Sequence, residues 1–177
     1  MRQSTRIISI AHLAYPIIIG QIGNIMQGWA DTIMVGQYGT PELSAAGFVN
    51  NVFNLVVYFL MGISYATSPI VARYYGQKKN MEVLRTFYNS NALNLIASLF
   101  IVAAMSCVYI NIEHLGQPTD LLPLIRPYFL IVLASMPFMA MFNSMKQFSD
   151  AMGDTKTPMR VGVLMNLINI VLNFLLI

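Results

Sequence analysis

Asp31 is the residue whose chemistry stands furthest from its surroundings. It lies near the far end of an apolar stretch, Tyr15 to Gly39, reading YPIIIGQIGNIMQGWADTIMVGQYG. A carboxylate in such a segment costs about 2.5 kcal/mol or more to place in a bilayer, and packing needs no charge, so its presence marks a functional site. Gly20, Asn24, Gln27 and Asp31 follow one another at spacings of four, three and four, which stacks them on one helical face together with Pro16. Asn166, Asn169 and Asn173 repeat the spacing of three and four against Leu, Ile and Val. Two helices striped in this way are expected to face each other or a common cavity. The chemistry they offer is binding by oxygen and amide groups, not bond breaking.

The elements that must carry these stripes are membrane spans. Of the 177 residues, 56% are hydrophobic and 10% charged, which lies outside the soluble range. The apolar residues fall in long runs of about 20 residues, the length needed to cross ~30 Å of hydrocarbon at ~1.5 Å per residue. Five spans are expected, at Ile7–Gly36, Leu43–Arg73, Thr86–Ile110, Leu121–Met145 and Val161–Ile177, with turn residues between them and no alternation that suggests a barrel. The fold class is therefore all-α and polytopic. The first apolar run is too long for a signal-peptide core and is retained as a span. The last run stops at Ile177 without a flanking anchor, from which the sequence is expected to be a fragment of something larger.

Nine of the ten basic residues lie at the N-terminus or in the loops after the second and fourth spans: Arg2, Arg6, Arg73, Lys78, Lys79, Arg85, Lys146, Lys156 and Arg160. Only Arg126 falls on the other side. The positive-inside rule makes the populated side cytoplasmic, with the N-terminus inside and the chain's end pointing out. The basic pI near 9.1 thus reports topology, not a nucleic-acid surface. Asp31 and Asn173 then both lie in the outer half of the membrane.

The remaining polar and titratable residues have plainer readings. Asn50, Asn51, Asn54, Asn91 and Asn94 read as interhelical hydrogen-bonding groups, each contributing ~1 kcal/mol or less. Pro16 is the best hinge candidate, being on the striped face, ahead of Pro69 and Pro137. The methionines and aromatics read as lipid-facing bulk, His12 and His114 as interfacial, and Glu113 and Asp120 as solvated. Cys107 is the sole cysteine, so no intrachain disulfide forms. No G-x-S-x-G, H-E-x-x-H, Walker or paired-cysteine pattern occurs, which argues against hydrolase, metalloprotease or ATPase chemistry and for a protein that is not an enzyme.

In combination, several motifs resemble the multidrug and toxic compound extrusion (MATE) family. They are P-x14-D-T-I-M-V-G-x-x-G from Pro16 to Gly39, L-S-A-A-G from Leu43 and S-P-I-V-A-R-Y-Y-G from Ser68. S-M-K-Q-F-S-D-A-M-G-D-T-K-T-P from Ser144 and N-x-x-N-x-x-x-N from Asn166 complete the set. The resemblance implies a secondary active transporter of twelve helices in two six-helix lobes, of which this chain supplies five helices of the amino-terminal lobe. It implies a multi-pass protein of the cytoplasmic (inner) membrane that exports cationic or aromatic compounds in exchange for Na⁺ or H⁺, with no other cofactor. The family's first-helix acidic residue matches Asp31, and its fifth-helix polar pair matches Asn169 and Asn173. One branch has an aspartate at the second of these positions, so Asn173 looks like the NorM-type branch.

On this resemblance Asp31 changes partner as a cation or proton binds, while Asn24, Gln27, Asn169 and Asn173 supply neutral oxygens. Oxygen ligands suit a hard cation such as Na⁺ at Asp31, Asn169 and Asn173. Bending at Pro16 then reshapes the lobe's cavity. The expected partners are the lipid bilayer, small organic cations and the second lobe. The alternatives are a lipid-linked oligosaccharide flippase of the same superfamily, which calls for a lumen of Arg and Lys that these spans lack, and a membrane scaffold subunit in which Asp31 pairs with a partner's base.

Overall fold

The computed structural model describes residues 3–176, and it is helical from end to end with short turns between helices. The helices are α1 (Gln3–Tyr38), α2 (Thr40–Tyr65), α3 (Thr67–Gly76), α4 (Asn80–Ile110), α5 (Leu122–Ala151) and α6 (Lys156–Leu176). Two 3₁₀ turns, Ile112–Leu115 and Thr119–Leu121, join α4 to α5. Arg2 and Ile177, used above for topology and for the end of the last span, lie outside the described residues.

Four stretches are long and apolar enough to cross a membrane: Thr40–Gly76, Asn80–Ile110, Thr119–Ala151 and Lys156–Leu175. At 36 residues α1 exceeds the same length. Large apolar side chains such as Leu55, Phe100, Phe138 and Phe174 stand exposed around the bundle. In water this much open apolar surface would drive association; it is the belt of a membrane-embedded protein.

The helices run past the expected span ends, because a helix stops at turn residues and not where its apolar face stops. Thus α4 begins at Asn80, not Thr86, and α5 continues to Ala151, beyond Met145. The expected second span is one membrane crossing made of two helices, broken at Ala66. Pro69 has no N–H for the carbonyl of Tyr65, four residues earlier, so the ladder fails there.

Polar groups bracket that break. Ser64 donates to Asn94 Oδ1 at 2.7 Å, and Asn94 donates to the Ser90 carbonyl at 2.9 Å. Ser90 in turn bonds both Thr67 and Ser144, the latter at 3.2 Å. This buried chain ties α2, α3, α4 and α5 together at the end that carries the α3–α4 turn. Towards the other end α2, α4 and α5 share an apolar core, in which Phe129 is fully buried with its ring 4.8 Å from that of Phe53. Asn94 therefore has the packing role expected of it. Asn91 bonds the Phe87 carbonyl of its own helix. Glu113 is exposed, as expected, and forms a surface ion pair with Arg126 across the α4–α5 connection.

The other packed pair is α1 with α6; α6 makes few contacts with α5. The turn into α6 is fixed by Asp154, whose Oδ1 accepts the Thr157 backbone N–H at 3.1 Å. The hydrogen bonding of Thr157 holds this carboxyl below its ordinary value of 3.8. A carboxyl with a depressed folded-state pKa stabilises the fold above the unfolded value, and that contribution is lost as pH falls through the folded value. The thermal stability of the purified protein should therefore drop as pH is taken from neutral to below about 4. Asp154→Asn, which keeps an acceptor but does not titrate, should flatten that part of the pH profile.

Candidate functional site

The two striped faces meet. Asn166 Nδ2 donates to Asn24 Oδ1 at 3.2 Å, and Asn173 Nδ2 donates to Asp31 Oδ1 at 2.7 Å. Both pairs are separated by 142 residues. Equal separations mean that α1 and α6 run parallel and in register, and the same offset sets Gln27 opposite Asn169. The spacing of three and four on each helix places every polar residue of one stripe beside its counterpart on the other. Gly23 keeps the helices close: a Cβ there would come within 3.2 Å of Asn166 Nδ2. Small residues at an interface between membrane helices serve this purpose, because without a hydrophobic drive the helices associate by close packing and hydrogen bonds.

Asp31 is half-buried at this seam. Asn173 Nδ2 also reaches Asn169 Oδ1, at 3.2 Å, so one amide holds the carboxylate and its own neighbour together. Among the described residues no lysine or arginine pairs with Asp31. No group of three or more His, Cys, Asp or Glu side chains could hold a metal ion among them either. The site therefore has one negative charge surrounded by neutral amides. In the present arrangement Asn173 presents its N–H to the carboxylate. A cation taking that place would face an amide turned by half a rotation so that its oxygen points inwards, a change that costs no backbone movement. The amide orientation follows from the hydrogen-bond network.

Tyr128 is a hydrogen-bonding residue near the site that the sequence did not reveal. Its hydroxyl donates to Asn50 Oδ1 at 3.0 Å, joining α5 to α2, and it lies within electrostatic reach of Asp31. The only signal was a tyrosine in an apolar helix, indistinguishable from lipid-facing bulk. Asn50, read from the sequence as an interhelical hydrogen-bonding group, is the acceptor in this contact.

Pro16 is buried, on the same face of α1 as the stripe and some 22 Å of helix away from Asp31 at ~1.5 Å per residue. It lines a cavity between α1, α2, α5 and α6 that also touches Asn24. The hinge candidate and the carboxylate thus lie on one face of α1.

The MatE family model matches residues 16–175. An uncharacterized transporter of Bacillus subtilis, YisQ, is 29% identical over 96% of the chain, and a probable multidrug resistance protein NorM of Streptococcus pneumoniae is 27% identical over 97%. The Vibrio cholerae multidrug resistance protein NorM is 24% identical over 96%. The chain spans 37–38% of the length of these relatives. Among solved structures, a MOP-superfamily transporter from Pyrococcus furiosus superposes with a TM-score of 0.85 at 26% identity, over 93% of this chain and 37% of that one. Crystal structures of MATE in straight and bent conformations, each 25% identical over the same shares, give TM-scores of 0.86 and 0.84.

Proposed function

Because the chain belongs to the MatE family of membrane transporters, we propose that it forms the amino-terminal lobe of a two-lobe exporter. In this reading Na⁺ or H⁺ binding at Asp31 drives the outward movement of organic cations across the cytoplasmic membrane. The observation that carries the proposal is the contact of Asp31 with Asn173 at 2.7 Å, in a register that also pairs Asn24 with Asn166, while no basic residue pairs with the carboxylate among the described residues. A scaffold role would need a partner protein to supply that base, and co-purification of a stoichiometric partner would favour it. A pyrophosphate-handling flippase would need cationic residues along the spans, and Lys146 and Arg126 lie near helix ends.

The mechanism follows from the hydrogen bonds. A proton or Na⁺ arriving at Asp31 competes with the Asn173 N–H for the carboxylate. Na⁺ would be held by the Asp31 oxygens with the carbonyl oxygens of Asn169 and Asn173, and by Asn24 and Gln27 along the stripe. Either ion weakens the tie between α1 and α6 at that level, and Pro16, lacking an N–H, is where α1 gives way. The ion shifts the lobe between two states only by binding one more tightly than the other. The grouping of Arg73, Lys78, Lys79, Arg85, Lys146, Lys156 and Arg160 in the α3–α4 turn and in the helix ends beside the α3–α4 and α5–α6 turns supports a cytoplasmic N-terminus.

The test is export of a fluorescent organic cation by the full-length transporter in sealed vesicles. An imposed Na⁺ or H⁺ gradient should drive it, and collapsing that gradient should stop it. Export that is indifferent to both gradients would sink the proposal.

A further inference from the structure

We propose that the cavity beneath Pro16 is a relay point on the path of the coupling ion between Asp31 and the end of the bundle that carries the basic turns, with Asp150 as its carboxylate. Because an ion there must displace Lys146, the cavity is occupied in transit and not at equilibrium. This rests on the assignment of ion coupling to Asp31.

The cavity has a volume of about 80 Å³, room for two or three waters at ~30 Å³ each. Its walls include Pro16 and Gln21 of α1, Asn143, Lys146 and Asp150 of α5, and Gly162 of α6. Lys146 donates to Asp150 Oδ2 at 2.8 Å, and both side chains are largely sequestered, with exposures of 23% and 11%. The other carboxylate oxygen, Oδ1, is sealed from solvent and has no hydrogen-bond partner among the described residues. A buried acceptor left unmade is costly, and more so on a charged group. A structural ion pair has no need to leave half of its carboxylate in that condition.

The charge count limits the ligand. One carboxylate and one ammonium are the only formal charges on the lining. A monovalent cation can take Asp150 from Lys146, or a proton can neutralise it, and the low-dielectric pocket then carries a single excess positive charge. A divalent ion would leave two, which no other group there offsets. Asn24 belongs both to this lining and to the seam, through its bond with Asn166. One turn further along, Gln27 and Asn169 stand on the same two faces and Asn169 bonds Asn173, which bonds Asp31, so polar side chains recur turn by turn between the two levels. Because Pro16 forms part of the cavity wall, bending α1 there alters the cavity and the seam in one movement.

Two variants of the full-length transporter separate this role from a structural one. Lys146→Gln with Asp150→Asn removes both charges without stranding either. Gly162→Met fills the cavity and leaves the pair intact; a Cβ at Gly162 meets nothing within 4 Å. Each would be assayed for equilibrium binding of radioactive sodium and of protons in detergent, and for exchange of each ion across vesicles. Binding should stay near wild type while exchange of the coupling ion slows about tenfold to hundredfold, the effect of losing one charge-assisted contact on the path. Wild-type exchange in both variants overturns the inference, as does loss of binding in step with exchange. Asp31→Asn in the same assay distinguishes the two levels: undiminished binding by that variant refutes the coupling assignment, whereas its loss alongside unimpaired exchange in the Asp150 and Gly162 variants refutes this inference alone.

Discussion

Asp31→Asn in the full-length transporter should abolish ion-driven export, by at least about a hundredfold, while leaving the protein in the membrane and folded. The asymmetry follows from what the amide keeps and what it loses. An asparagine oxygen still accepts the bond that Asn173 Nδ2 makes at 2.7 Å, so the α1–α6 seam closes as before. Removing the charge also lowers the cost of inserting α1, so the variant should be no less stable. What disappears is the only negative charge on the two facing stripes, and contacts to a charged group contribute ~1.5–3 kcal/mol each. Export and the thermal stability of the purified variant would be measured together. Normal export in a stable Asp31→Asn protein contradicts the mechanism.

Phe129→Ala should give the largest loss of stability at a position away from both carboxylates. Phe129 is fully buried in α5, edge-on to Phe53 of α2 at 4.8 Å and tilted against Tyr109 of α4 at 5.7 Å. In a soluble core the change would cost ~3–5 kcal/mol, part of it for lost transfer from water. A membrane helix gains little from that transfer, since lipid is as apolar as the core. The void remains, and at ~24 cal/mol per Å³ a cavity the size of the lost ring costs about 2 kcal/mol. The melting temperature in detergent should fall by roughly 4–8 °C. A shift within the error of the measurement would mean that the α2–α4–α5 core is not the anchor against which α1 and α6 are held.

The positions of Asp31, Asn24, Gln27, Asn169 and Asn173 were legible because helical periodicity is strict. Residues three and four apart share a face, and polar residues on a membrane helix must find a partner. That the two stripes pair in register follows from their identical spacing. The helix class and the turns were equally plain, since Gly39, Gly116 and the Gly153–Asp154 turn interrupt long apolar runs.

Three things were hidden, each for a physical reason. The break at Ala66 was masked because Pro69 sits in an apolar run that still spans as one piece. Tyr128 carries no sequence mark that tells a hydrogen-bonded hydroxyl from an interfacial one; only the position of Asn50 on another helix shows it. Lys146 counted towards topology as a loop charge, and its pairing with Asp150 appears only once α5 is seen to continue through both residues. Contacts between helices, unlike contacts along one, leave no period in the chain.

The most direct measurement is equilibrium binding of radioactive sodium and of protons to the purified full-length transporter, with and without Asp31. The wild-type protein should bind one of these ions saturably, and Asp31→Asn should lose that binding while its melting temperature holds. Saturable binding that survives the substitution would place the coupling ion elsewhere and contradict the account.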